Sequence, residues 1–137
     1  MRDTPKLLDM IAALIAAPSI SSVNPDLDQS NRGVIELLAT WLSALGFRSE
    51  ILPVAGQRGK ANLIATLGDG PGGLVLAGHT DTVPFDQGRW NHDPFRLTRA
   101  DHRLYGLGTS DMKAFLALAV EAASGFTAAQ LKQALII

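Results

Sequence analysis

Leu74-Val75-Leu76-Ala77-Gly78-His79-Thr80-Asp81-Thr82-Val83-Pro84, LVLAGHTDTVP, begins as an apolar run and ends among titratable groups. Leu74–Ala77 has the length and β-branched content of a buried strand. Gly78 then frees the backbone just before His79, Thr80 and Asp81. In an open α/β sheet, ligand sites form outside the carboxyl ends of the strands, where the backbone leaves the core. His79 and Asp81 are two residues apart, so strand pleating carried through them projects both to one side.

On the N-terminal side, Thr4 and Pro5 read as N-cap and first helical residue, followed by Leu7, Leu8, Met10, Ile11, Leu14 and Ile15 on one helical face. Pro18 stops this helix, and Ser19–Pro25 is a small, polar loop. Asp28 or Ser30 is placed to cap a second helix with the core face Val34, Ile35, Leu37, Leu38, Trp41, Leu42 and Leu45. Gly46 fits its left-handed C′ position. Both helices read as packing elements rather than ligand sites. Phe47–Val54 and Ala61–Leu67 then flank AGQRGK as an antiparallel pair. The turn cluster Gly68–Gly73, GDGPGG, lacks the Lys-Ser/Thr partner and following helix of a phosphate loop.

On the C-terminal side, Phe85–Pro94 is a long polar loop, of the kind that is usually functional or mobile. Extended pieces follow around Phe95–Thr98 and Leu104–Tyr105. Thr109-Ser110-Asp111 opens a helix that runs to about Ser124 and buries Met112, Phe115, Leu116, Ala119 and Ala122. Ala134–Ile137, ALII, starts like a buried strand and reads as cut short. The expected fold is α/β, a mixed sheet flanked by helices, with residues 1–137 forming one unit.

Composition bounds the function. With 47% apolar residues, 18% charged residues and a net charge of −1, the chain has a globular composition. Its scattered Lys and Arg and pI of 6.3 give no footprint for nucleic acid or an anionic membrane, so a small-molecule ligand is expected. The chain has no cysteine, which excludes disulfides and thiolate metal cages and is compatible with a reducing cytosol. MRDTPKLLDM lacks a signal-peptide pattern, and no apolar run approaches the roughly 20 residues of a membrane span. A cytoplasmic location is expected.

Imidazole from His79 and carboxylate from Asp111 suit a borderline metal such as zinc, and each lies where a regular element ends or starts. Two ligands make an incomplete site. His92, in the long loop, and His102, in ADHR, read as solvated. On pattern alone Asp111 reads as an ordinary helix N-cap and Lys113 as a solvated side chain, while His79 is equally a hydrogen-bonded strand-end histidine and Asp81 a turn cap before Pro84.

GHTDTVP (Gly78–Pro84) and LYGLGTSDMKAF (Leu104–Phe115), separated by a loop containing GRW and DPF, together resemble the dinuclear zinc amidohydrolases. That family includes N-acyl amino acid deacetylases, desuccinylases and carboxypeptidase G-type enzymes, and the resemblance covers essentially the whole chain. TDTVPFD followed by GRW, with Leu107 where desuccinylases and many peptidases more often carry arginine, is most similar to the branch that deacetylates N-acetylornithine in arginine biosynthesis. Acetylcitrulline or another acylated amino acid remains open as substrate.

The resemblance implies that this chain is the N-terminal part of a zinc-peptidase-like catalytic domain. His79 would ligate one metal, Asp111 would bridge two, and Asp81 would be the catalytic carboxylate that fixes a ligand's orientation. A cis peptide is implied at Asp111–Met112. The cofactor would be two zinc ions, with cobalt as an alternative, and the full-length protein would be a homodimer. A water would attack the amide, with a glutamate taking its proton. That glutamate, the remaining ligands and an inserted dimerisation domain would lie beyond Ile137. The lineage is thus expected to be hydrolytic and the 137-residue chain alone inactive. A complete binding module is a further reading, and it requires Ala134–Ile137 to be a finished edge strand.

Overall fold

The computed structural model describes residues 4–137; Met1–Asp3, on which part of the N-terminal reading rests, lie outside them. Helix α1 (Leu7–Ala16) buries Met10, Ile11, Leu14 and Ile15, as its apolar stripe predicts. It starts later than Thr4 and Pro5 suggest. Lys6 is the N-cap, no side chain caps it, and the N–H groups of Asp9 and Met10 both donate to the Lys6 carbonyl at 2.9 Å. The helix stops before Pro18, with Ala17 extended at ψ 101°, as the residue preceding a proline prefers.

Helix α2 (Arg32–Ala44) buries Val34, Ile35, Leu38, Trp41 and Leu42, and Gly46 follows it at φ 90°. Its N-cap is Asn31 rather than Asp28 or Ser30. Asp28 is occupied elsewhere, accepting from the Ser22 N–H at 2.9 Å and from Lys60 Nζ at 2.8 Å. Ser30 takes one helix N–H, from Arg32 at 3.1 Å, while donating to the Gly59 carbonyl at 2.6 Å. These polar groups fasten the loop before α2 to Gly59 and Lys60, just ahead of the strand that begins at Ala61.

β1 (Arg48–Pro53) and β2 (Ala61–Leu67) pair antiparallel, from Arg48↔Thr66 to Pro53↔Ala61. Ala61, Ala65 and Leu67 of β2 are buried while Asn62 and Ile64 are exposed, so alternation puts one face of the sheet on the core. β6 (Ala134–Ile136) lies antiparallel to β2 and parallel to β3 (Gly73–Val75), giving the order β1-β2-β6-β3. The Ala134–Ile136 segment is therefore an interior strand.

β3 departs from expectation. It lies at the edge, and Leu74 and Val75 are 60% and 58% exposed instead of buried. An apolar run reports a preference for burial, but not how many neighbours cover it. Its start needs glycine: Gly73 sits at φ 135°, where a Cβ would land on the Ala134 carbonyl oxygen.

The extended pieces after the long loop form a hairpin, β4 (Thr98–Ala100) and β5 (Arg103–Tyr105). Asp101 and His102 turn it with φ of 51° and 59°, the positive pair of a type I′ turn. Helix α3 (Lys113–Ser124) buries Leu116, Ala117, Ala119, Val120 and Ala123. Its buried arc is turned from the expected one, so Ala122 is exposed and Lys113 is inside. The reason is packing: α3 touches both α1 and α2. The three helices share one core with Ala65, Leu67 and Leu135 of the sheet. No helix among the described residues is long and apolar enough to cross a membrane.

Candidate active site

The backbone beyond β3 is clamped by the loop after α1. Ile20 and Thr82 form a parallel bridge: the Ser21 N–H donates to the Thr82 carbonyl at 2.8 Å, and the Thr82 N–H to the Ser19 carbonyl at 3.1 Å. Buried Ser19 donates its hydroxyl to the Thr80 carbonyl at 2.7 Å. Asn31 Nδ2 donates to Thr80 Oγ1 at 2.9 Å and to the Ala61 carbonyl at 2.8 Å, and Oδ1 accepts the Ala61 N–H at 2.9 Å. Gly78 allows close approach to α3, since a Cβ there would come within 2.8 Å of Leu116 Cδ2. Thr82 is thereby turned inward, and His79 and Asp81 are left half-exposed and meeting on one side.

The three carboxylate and imidazole groups singled out in the sequence come together. His79 Nε2 lies 2.9 Å from Asp111 Oδ1, and His79 Nδ1 lies 3.2 Å from Asp81 Oδ1 and 3.1 Å from the Asp81 carbonyl. Asp111 does not cap α3. Met112 holds that position, and the Asp111–Met112 peptide is cis. Partial burial works against a charge on His79, but its hydrogen bond to Asp111, its bond to Asp81 and the charges of both carboxylates together raise its pKa above 6.5.

This arrangement fits a metal ligand set in kind. The carboxylate and carbonyl oxygens of Asp81 beside Nδ1 favour a proton there, which leaves Nε2 as the nitrogen to bind. For Nε2 and Asp111 Oδ1 to share a hydrogen bond at 2.9 Å one of them carries a proton, and a cation held by the pair would displace it. Among the described residues no group of three or more His, Asp or Glu is arranged to hold a metal ion. His92 instead packs on the Tyr105 ring, centroids 4.6 Å apart, and His102 sits in the hairpin turn.

A cleft of 320 Å³ opens beside the pair, lined by His79, Asp81, Asp111, Trp90 and the Gly106–Ser110 loop. Trp90 is held by Phe85, edge-on at 6.2 Å, and Phe85 by Phe95 at 5.5 Å, which orders the long loop around an aromatic cluster. Thr82 Oγ1 is buried at the cleft wall without a hydrogen-bond partner among the described residues, so a water or a ligand atom is its natural complement. The sequence reading passed over Ser19, Asn31 and Trp90 as loop or helix-start residues. It also placed Lys113 in solvent, whereas Lys113 is 1% exposed and burial lowers its pKa to about 8. One signal for Lys113 was present: Pro18 removes the N–H that the Leu14 carbonyl would otherwise accept.

The chain is similar to a known class of protein: residues 75–137 match the model of peptidase family M20/M25/M40. More particularly, it is 60% identical over 124 residues to the acetylornithine deacetylase of Pasteurella multocida (strain Pm70), a match covering 90% of this chain and 32% of that protein. It is 55% identical over 133 residues to the acetylornithine deacetylase of Salmonella arizonae, covering 97% of this chain and 35% of that one. Among solved structures it superimposes on human carnosine dipeptidase 1 with a TM-score of 0.74 at 25% identity, covering 96% of this chain and 30% of that chain. The chain spans about a third of the length of the curated relatives it matches and corresponds to their N-terminal part.

Proposed function

We propose that this chain supplies the first metal-binding half of a cytoplasmic hydrolase that cleaves the amide of an N-acylated amino acid, N-acetylornithine, releasing acetate and ornithine for arginine biosynthesis. The observation that carries the reading is the His79 Nε2–Asp111 Oδ1 contact of 2.9 Å, with Asp81 holding the opposite ring nitrogen. Identity of 60% to an acetylornithine deacetylase supports the substrate.

In this reading His79 and Asp111 hold zinc, with cobalt as a substitute. When bound, the metal supplies Lewis acidity toward the amide carbonyl and brings the pKa of water toward neutrality. Asp81 keeps the His79 ring oriented and its Nδ1 protonated, so that Nε2 presents a lone pair. Asp111 would hold the metal through its carboxylate, facing His79 Nε2. Trp90 and the Gly106–Ser110 loop wall the cleft and limit access of bulk water. The glutamate that would take the proton of the attacking water, the remaining ligands and the partner copy of a homodimer belong to sequence outside these residues. The 137-residue chain by itself is accordingly proposed as inactive.

A chimera tests this. Residues 4–137 would replace the corresponding segment of the Pasteurella multocida enzyme, and acetate release from N-acetylornithine would be assayed with zinc. Turnover that disappears in H79A and D111A supports the reading. A soluble, folded chimera without turnover, or one indifferent to both substitutions, contradicts it.

A further inference from the structure

Lys113 is 1% exposed, and its burial is explained by two carbonyls at the far end of another helix. Nζ donates to the Leu14 carbonyl at 3.0 Å and to the Ala17 carbonyl at 2.7 Å. In an α-helix the Leu14 carbonyl would accept the N–H of residue 18, but residue 18 is Pro18 and has none. The ammonium therefore occupies the C-terminal end of α1, where the partial negative charge of the helix favours a cation. A buried lysine is stable here because α1 ends in unmet acceptors.

The other end of this contact is the first residue of α3, two positions after Asp111. Gly108 makes room for it, since a Cβ there would lie 3.1 Å from both Cγ and Cδ of Lys113 and 3.2 Å from Thr82 Cγ2. The Lys113 stem thus packs against Gly108, in the loop that precedes Asp111, and Gly108 in turn lies beside Thr82 of the extension that carries His79. We infer that Lys113 is a positioning residue: by tying the start of α3 to the C-terminus of α1, it sets the place of Asp111 opposite His79. The inference deepens the metal-site reading above, but its evidence is the direct contact of His79 with Asp111 and the hydrogen bonds of Lys113.

The test is ring 15N NMR of His79 in the metal-free 137-residue chain, at one pH and below the melting temperature of every variant, comparing wild type, D111A, K113M and L45A. Leu45 is a buried core residue at the C-terminal end of α2 that takes no part in the Lys113 hydrogen bonds, so L45A controls for lost stability alone. The expected result is that K113M carries the His79 Nε2 resonance most of the way to its D111A position while L45A leaves it at the wild-type position. K113R, which keeps charge and donors, should return it toward wild type. A K113M resonance at the wild-type position, or an L45A shift equal to that of K113M, overturns the inference. Zinc added to the same samples separates the two readings. If wild type fails to respond to zinc while K113M still shows its shift, the metal assignment is removed and the tether stands. A zinc response in wild type weakened roughly tenfold or more in K113M supports both.

Discussion

A histidine ligates through one nitrogen, and which nitrogen is decided by what the other one touches. On the proposed reading Asp81, which lies against Nδ1, makes that decision for His79. Replacing it, D81A, should leave the fold intact, because the side chain is 48% exposed, yet weaken zinc binding by about 10–100-fold, the usual loss when an outer partner of a metal-bound histidine is removed. A competition titration with a chromophoric chelator measures it. An affinity equal to wild type would mean that the Asp81 carbonyl alone orients the ring. His79, Asp81 and Asp111 were legible in the sequence because two short motifs carry them at element ends. Lys113 was not, because a lysine at a helix start is ordinarily solvated and only the distant Pro18 makes a reason to bury it.

At the scale of elements, the stripes of α1 and α2 and their stops at Pro18 and Gly46 were legible, since period and punctuation are local properties. The edge position of β3 was not, because burial of a strand depends on neighbours that its own residues do not specify. Nor were the ties between the loop after α1 and the site. Asn31 serves three groups, the two backbone polar groups of Ala61 and Thr80 Oγ1. Its loss in N31A leaves all three unpaired at a half-buried junction, and should lower unfolding free energy by about 1–3 kcal/mol. Urea denaturation reads this directly; a change within error would show that water replaces the amide without cost.

For the whole molecule, two surfaces govern behaviour in solution. The first is the Asp28–Lys60 pair, 2.8 Å apart, which ties the loop before α2 to the β1–β2 turn. The hydrogen bond from Lys60, with the Ser22 N–H and the Lys60 charge, outweighs burial and holds the Asp28 pKa below 3.8. A depressed carboxylate stabilises the fold above its unfolded pKa, and that contribution is lost as pH falls through the folded value. Melting temperature should therefore fall on going below pH 3.8, and K60M should fall less over the same interval. An identical acid limb in both would assign the loss to other carboxylates. The second surface is the edge of β3, where Leu74 and Val75 stand open and the strand is paired on one side. Such edges self-associate, so sedimentation should show concentration-dependent association that V75K reduces.

The central claim is that His79 and Asp111 form half of a metal site, and calorimetric titration of the 137-residue chain with zinc tests it most directly. The account predicts one weak binding event in wild type that is absent from both H79A and D111A. Binding that survives either substitution unchanged, or two tight zinc ions with turnover of N-acetylornithine, would contradict it.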